Sequence, residues 1–212
     1  GIHESQSRFW ENYIGRGLPF WQKYYPELQK NFPEVLGDVS LKDFHLAVNG
    51  VRPSFIRVEA DEVTYNLHIV VRYEIEQAMF SGDVAIEDLP ALWNDKMEAY
   101  LGVRPGNDVE GILQDIHWSF GGFGYFPTYL LGNLYAAQWM HTLRGVMPDL
   151  DEKVAAGNLL PIRERLREQI HVHGRRYSTD DLARRVSGET LNPAYFDTYL
   201  RERFGTLYNV SW

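Results

Sequence analysis

The chain contains no cysteine. That excludes disulfides, thiolate metal sites and cysteine nucleophiles, and leaves His, Asp and Glu to hold any metal. A cysteine-free chain suits a reducing compartment, and a cytoplasmic location is expected. A basic surplus is also missing. Asp and Glu number 29 against 21 Lys and Arg, for a net charge of -8. Surfaces that bind nucleic acid normally carry the opposite sign, so no nucleic-acid partner is expected. No stretch approaches ~20 uninterrupted apolar residues, so no transmembrane helix and no membrane partner is expected. The start shows no basic, apolar, small-residue series of the kind that marks a signal peptide. Repeats, low-complexity tracts and linkers are absent too, so residues 1–212 read as having no internal domain boundary. What is present is 44% hydrophobic residues over 212 positions. That suffices to bury a core, either as one domain or as part of a larger one.

The periodicity is mostly helical. Phe9, Trp10, Tyr13 and Ile14 recur at helical spacing until Gly15, Gly17 and Pro19 break the run. A second short helix is expected from Phe20 to Asn31, with Pro26 disturbing it. Phe44, Leu46 and Val48 alternate, and Asn49-Gly50 is a two-residue turn signal. Residues 41–49 and 51–57 are therefore expected to close as a short β-hairpin, with Pro53 at an edge. The longest helical pattern runs from Ala60 to Phe80 and stops at Ser81-Gly82. Another covers Leu89 to Leu101, with Pro90 in its first turn. A helix is expected to begin near Asp108 or Gln114 and to break at Gly121, Gly122 and Gly124. Pro127-Thr128 restarts one through His141. Pro161 to His171 is amphipathic. Ser178 and Asp181 form a capping box, and Asn192-Pro193 opens a last helix ending at Gly205.

Three stretches hold chemistry-bearing residues in order. They are Gly1-Ile2-His3-Glu4-Ser5-Gln6-Ser7-Arg8, Ile56-Arg57-Val58-Glu59-Ala60-Asp61, and Gly111-Ile112-Leu113-Gln114-Asp115-Ile116-His117-Trp118. Together they resemble the M32 metallocarboxypeptidases, the thermostable carboxypeptidase group. That family carries HExxH, HES(G/Q), IRxxAD and GxxQDxHW, in that order. The last three are present and HExxH is not. Its nearest counterpart, His3-Glu4-Ser5-Gln6-Ser7, has Ser in place of the second His.

The resemblance implies that residues 1–212 are the C-terminal part of a single catalytic domain, beginning just before the third metal ligand. It implies a mainly α, helical, channel-shaped metallopeptidase (neurolysin-like) fold, to which the residue pattern adds the short β-hairpin. It implies a metal-dependent carboxypeptidase that releases C-terminal amino acids from peptides. The cofactor would be Zn2+ or another divalent metal such as Co2+. The partners would be a peptide substrate, the N-terminal half of the same enzyme and a second subunit in a homodimer. Alone, the chain is expected to be inactive and to hold no metal tightly.

By the resemblance Glu4 is the metal ligand, with His3 beside it. Read on its own, a Glu in a first helical turn only complements the helix dipole. Arg57 is the candidate clasp for a peptide's terminal carboxylate, since a guanidinium offers two parallel hydrogen bonds. Its alternative is an internal pair with Glu59, Asp61 or Glu62. Asp61 is expected to orient neighbours or cap the long helix. His117 can donate to a substrate carbonyl or an oxyanion. Asp115 lies two residues away, and on a regular helix the two would diverge by ~200°, so no direct pair is expected. Gln114 can bind substrate backbone or satisfy a loop. Tyr129 and Tyr125, in a glycine-rich loop, are candidates for stabilising the tetrahedral intermediate, and both equally suit a core.

His171 and His173 would face different sides of a helix and are not read as metal ligands. His45 and His68 read as packing or surface residues. Arg175, Arg176, Arg184 and Arg185 read as salt-bridged surface. Two other functional classes stay open. One is a non-catalytic helical interaction or oligomerisation domain. The other is a related helical oligopeptidase.

Overall fold

The computed structural model describes residues 1–212, and every regular element in it is helical. In chain order the first α-helices are α1 (Ile2–Arg8), α2 (Leu18–Asn31), α3 (Pro33–Leu36), α4 (Leu41–Val48), α5 (Tyr65–Ser81) and α6 (Leu89–Leu101). Then come α7 (Pro127–Val146), α8 (Leu150–Ala155), α9 (Leu160–Gln169), α10 (Thr179–Ser187) and α11 (Ala194–Tyr208). The chain divides into two compact units. One is Gly1–Val48 with Leu131–Trp212, and the other is Asn49–Leu130.

In the first unit, α1 passes directly into a π-helical segment, Phe9–Gly15. The wider turn is visible in the bond from Arg16 N–H to the Glu11 carbonyl, at 2.8 Å. Its end is capped by Arg203 of α11, which donates to the carbonyls of Asn12 at 2.6 Å and Arg16 at 2.9 Å. The core of this unit gathers Phe9, Ile14, Trp139, Leu150, Ile162 and Leu182, all buried. Helix α2 continues through Pro26 and packs on α4 and α8.

The expected β-hairpin is absent, because residues 41–48 form α4. Ser40 supplies the reason. Its hydroxyl accepts from Asp43 N–H at 3.1 Å and donates to the Asp43 carboxylate at 2.6 Å. That capping box satisfies an N-terminal orphan donor and commits the segment to helix. Leu41, Phe44 and Val48 then fall three and four apart on one helical face. The alternation of Phe44, Leu46 and Val48 fits both periods, and the cap decides between them.

The second unit pairs α5 with α6 around Val71, Ile75, Trp93 and Met97. Asp61 caps the approach to α5. Its carboxylate accepts from the N–H groups of Val63 and Thr64 at 2.9 Å each, from the Thr64 hydroxyl at 2.7 Å, and from Arg52 N–H at 3.0 Å. Gly82 and Gly102 end the two helices in the left-handed region, where a side chain would be strained. No α-helix forms between Gly102 and Phe126, contrary to the expectation of one near 108 or 114. The segment is a series of turns with one 3-10 turn, Trp118–Phe120.

A charged, aromatic candidate site in the second unit

The irregular segment is held by a buried ion cluster. Arg57 stands in a 3-10 turn, and Arg72 is fully buried on α5. Both guanidiniums converge on one carboxylate, Asp115. Arg57 donates from Nη2 at 2.6 Å and from Nε at 3.1 Å to its Oδ1. Arg72 donates from Nε at 2.6 Å to its Oδ2. Gln114 locks the same corner. Its Oε1 accepts from Arg57 N–H at 2.8 Å and from Arg72 Nη2 at 2.8 Å, while its amide donates to the Phe55 carbonyl at 2.9 Å. The second and third motifs, some 57 residues apart, are thereby one structure.

Aromatic rings wall the cluster. The Arg72 guanidinium lies 4.6 Å from the Trp93 ring and 5.3 Å from Phe126, and Arg57 lies 5.5 Å from Phe126 and 5.1 Å from Tyr129. Cations over ring faces are stabilised most where water is excluded. Burial pulls Arg72 down to about 10 against the opposing pull of Asp115, so it stays charged at neutral pH. Burial pushes the Asp115 carboxyl up, but the bonds and charges of Arg57 and Arg72 outweigh it and hold the group below the usual carboxylate range. Two cations and one anion leave the cluster with an excess positive charge.

His117 sits on the edge of this cluster. Its Nε2 is 3.1 Å from the Tyr129 hydroxyl. Its Nδ1 is 4.0 Å from Asp115 Oδ1, too long for a hydrogen bond, and has no other hydrogen-bond partner. The two side chains face each other because the segment is not helical, so the ~200° divergence of a regular helix does not apply. Burial lowers the His117 pKa, and Arg57 and Arg72 add to that against Asp115, so the ring is neutral at pH 7. Tyr125 is 51% exposed, with its ring 5.6 Å from that of His117. The glycine loop is anchored from α5, since Glu76 accepts from Trp118 Nε1 at 2.7 Å and from Gly124 N–H at 2.9 Å.

Arg57 therefore pairs internally, with Asp115 and not with Glu59, Asp61 or Glu62. Its Nε–Nη2 edge is committed there, and Nη1 donates to the Tyr65 hydroxyl at 3.0 Å. Arg72, Tyr65 and Glu76 belong to none of the three motifs. A signal existed for Arg72. It lies four residues beyond His68 and seven beyond Tyr65, on the buried face of α5, and a cation there requires a buried partner.

Glu4 belongs to the first unit. Its carboxylate takes Arg8 Nε at 3.0 Å and the Ser7 hydroxyl at 3.1 Å. His3 is exposed on α1, and His171 Nε2 donates to Gln6 Oε1 at 2.8 Å. Glu4 is a donor of the right chemistry for a hard divalent ion. No group of three His, Asp or Glu converges anywhere in the chain, so these residues do not make a metal centre by themselves.

A family model described as carboxypeptidase Taq (M32) metallopeptidase matches residues 1–204. The chain belongs to the M32 carboxypeptidase family. It is 50% identical over 208 residues to carboxypeptidase 1 of Bacillus subtilis, covering 98% of this chain and 42% of that protein. It is likewise 50% identical over 208 residues to thermostable carboxypeptidase 1 of Thermus thermophilus, covering 98% of this chain and 41% of that one. The crystal structure of the M32 carboxypeptidase from Deinococcus radiodurans superposes with a TM-score of 0.96 at 41% identity, over 99% of this chain and 42% of that one. The chain thus spans about two fifths of the relatives it matches. The M32 likeness extends well beyond its short motifs, over almost every residue. No helix is long and apolar enough to cross a membrane.

Proposed function

We propose that these residues form the substrate-recognition part of a metal-dependent carboxypeptidase, and that the chain on its own does not hydrolyse peptides. The observation that supports it best is the positive cluster of Arg57, Arg72 and Asp115 set against the neutral His117–Tyr129 pair. An exopeptidase must sense a free carboxylate, and a buried surplus of guanidinium charge suits that task. With its Nε–Nη2 edge on Asp115, Arg57 would meet the substrate through Nη1, the side it shares with Tyr65. His117 and Tyr129 would donate to the scissile carbonyl oxygen as it gains charge, with the more exposed Tyr125 as a third donor. Gln114 holds the corner that supports both motifs.

Glu4 would supply one ligand to Zn2+ or Co2+. One ligand does not make a catalytic centre, so no hydrolytic step is assigned to this chain alone. The remaining donors would come from an N-terminal half, in a channel-shaped, neurolysin-like, cytoplasmic homodimer acting on peptides. The incomplete donor set also favours a second reading, a helical interaction module without activity.

Two measurements test the proposal. The purified chain should carry no stoichiometric zinc and show no peptidase activity. Stoichiometric zinc with chelator-sensitive activity would overturn that half. In the full-length protein, Arg57→Ala should raise KM for peptides with a free terminus by the equivalent of about 2–4 kcal/mol, while sparing metal content. An unchanged preference for free over amidated peptides would remove Arg57 from substrate recognition.

A further inference from the structure

Helix α7 meets α1 at the place where Glu4 sits, through two residues on one face. Gly132 is the first, and it is buried. A Cβ built on it would lie 2.5 Å from Glu4 Cγ, 2.7 Å from Glu4 Cβ and 3.1 Å from the Glu4 carbonyl carbon. Glu4 Cγ could rotate aside, but Cβ is fixed by the backbone and cannot, and the carbonyl carbon is close as well, so α1 itself would have to shift. Trp139 is the second. It lies seven residues further on, two turns along the same face. Its ring stacks back on Tyr135 at 5.4 Å, and its Nε1 donates to Ser5 Oγ at 3.1 Å. Ser5 is fully buried. Its hydroxyl donates to the Ile2 carbonyl at 2.6 Å and accepts a second bond from Gln6 Nε2 at 3.1 Å. One donor and two acceptor sites are then all used.

We propose that Gly132 is a positioning residue for Glu4. The bare glycine sets how near α1 approaches α7, and the Ser5–Trp139 bond sets the rotation of α1 about its axis. Distance and rotation together fix where the Glu4 backbone stands, so its carboxylate is presented from a rigid base. Any other residue at 132 lifts α1 away and carries the carboxylate with it. This rests on the reading of Glu4 as a metal ligand. Supports of this kind around metal ligands are worth about 10–100-fold in affinity.

The contact is tested first in the chain itself, by thermal melting of Gly132→Ala, Glu4→Gly and the double variant. The drop in Tm caused by Gly132→Ala should shrink by about half or more once Glu4 is Gly, because the two shortest contacts, to Cβ and Cγ, are gone and only the 3.1 Å approach to the backbone carbon remains. An equal drop in both backgrounds would show that the cost arises elsewhere and would overturn the contact. The function is tested in the full-length protein by Co2+ titration, read from the cobalt absorption bands. Gly132→Ala should weaken Co2+ binding about 10–100-fold and shift the bands. Ser5→Ala, which adds no bulk, should act in the same direction and covers the case in which Gly132→Ala does not fold. Co2+ affinity within about twofold of the parent in these variants would overturn the positioning role. Retained Co2+ binding in Glu4→Gln would instead sink the ligand assignment, leaving the melting cycle to decide the contact.

Discussion

Asp115 and Glu4 are both carboxylates of family motifs, and their surroundings differ in kind. The Asp115 side chain is 10% exposed and receives two guanidiniums, each itself nearly buried. The Glu4 side chain is 27% exposed and has one cation, Arg8, a single turn away on the same helix. The first is bound into its unit by two other chain segments and cannot change partners without stranding charge. The second has a local pair one turn away, which can be broken without stranding a deeply buried charge. Within one chain, the two carboxylates are told apart by the burial of their cations.

The largest effect should come from breaking the buried side of that contrast. Asp115→Ala leaves Arg57 and Arg72 facing each other without an anion. Removing one partner of a buried pair typically costs about 3–5 kcal/mol, because the desolvated charge remains. Urea unfolding of the variant should show a loss of that size. A loss below ~1 kcal/mol would mean that water already reaches the guanidiniums, and the contrast with Glu4 would collapse.

The next effect concerns His68, which lies one turn from Arg72 on α5. It is fully buried, and neither ring nitrogen has a hydrogen-bond partner. Burial, with Arg72 and Arg57 adding to it, lowers its pKa to about 4. The folded pKa is below the unfolded value of about 6.5, so the unfolded chain binds the extra proton between them. Stability from this group is complete above about pH 6.5 and falls as pH drops toward 4, by on the order of 3 kcal/mol. Asp115, also depressed, adds a further loss below about pH 4. A His68→Phe variant should reduce the first slope, leaving the smaller share of His45, His117 and His171, and leave the second. An unchanged slope between pH 6.5 and 4 would assign it to another histidine.

Much of this was legible before the fold. The capped α10, the proline in the first turn of α6 and the left-handed Gly82 after α5 follow from local chemistry, and local chemistry is what a sequence displays. The α4 segment differs from the expected hairpin because two periods fit its apolar residues and only the Ser40 cap separates them. The region from 102 to 126 differs from the expected helix because its order comes from outside it. Asp115, Gln114 and Gly124 take their partners from Arg57, Arg72 and Glu76, about 40 to 60 residues earlier. No periodicity reports such contacts. The candidate residues Arg57, Gln114, Asp115 and His117 were visible as a motif, but their mutual bonds were not. Gly132 gave no sign at all, since a close approach between helices leaves only an ordinary glycine in the sequence.

The smallest effect should fall on the Glu4 side. Arg8 and Glu4 form an i,i+4 pair in which the Arg8 side chain is 19% exposed, and Arg8 also bridges to Glu11 at 3.0 Å. Water screens both charges, and such helical pairs are worth about 0.3–0.5 kcal/mol. Arg8→Ala should therefore cost no more than about 0.5 kcal/mol in urea unfolding, and less at high salt. It also leaves in place the close approach of Gly132 to Glu4 and the Ser5–Trp139 bond, neither of which involves Arg8. A salt-insensitive loss above about 2 kcal/mol would place Glu4 in the same class as Asp115, as a carboxylate committed to its own fold.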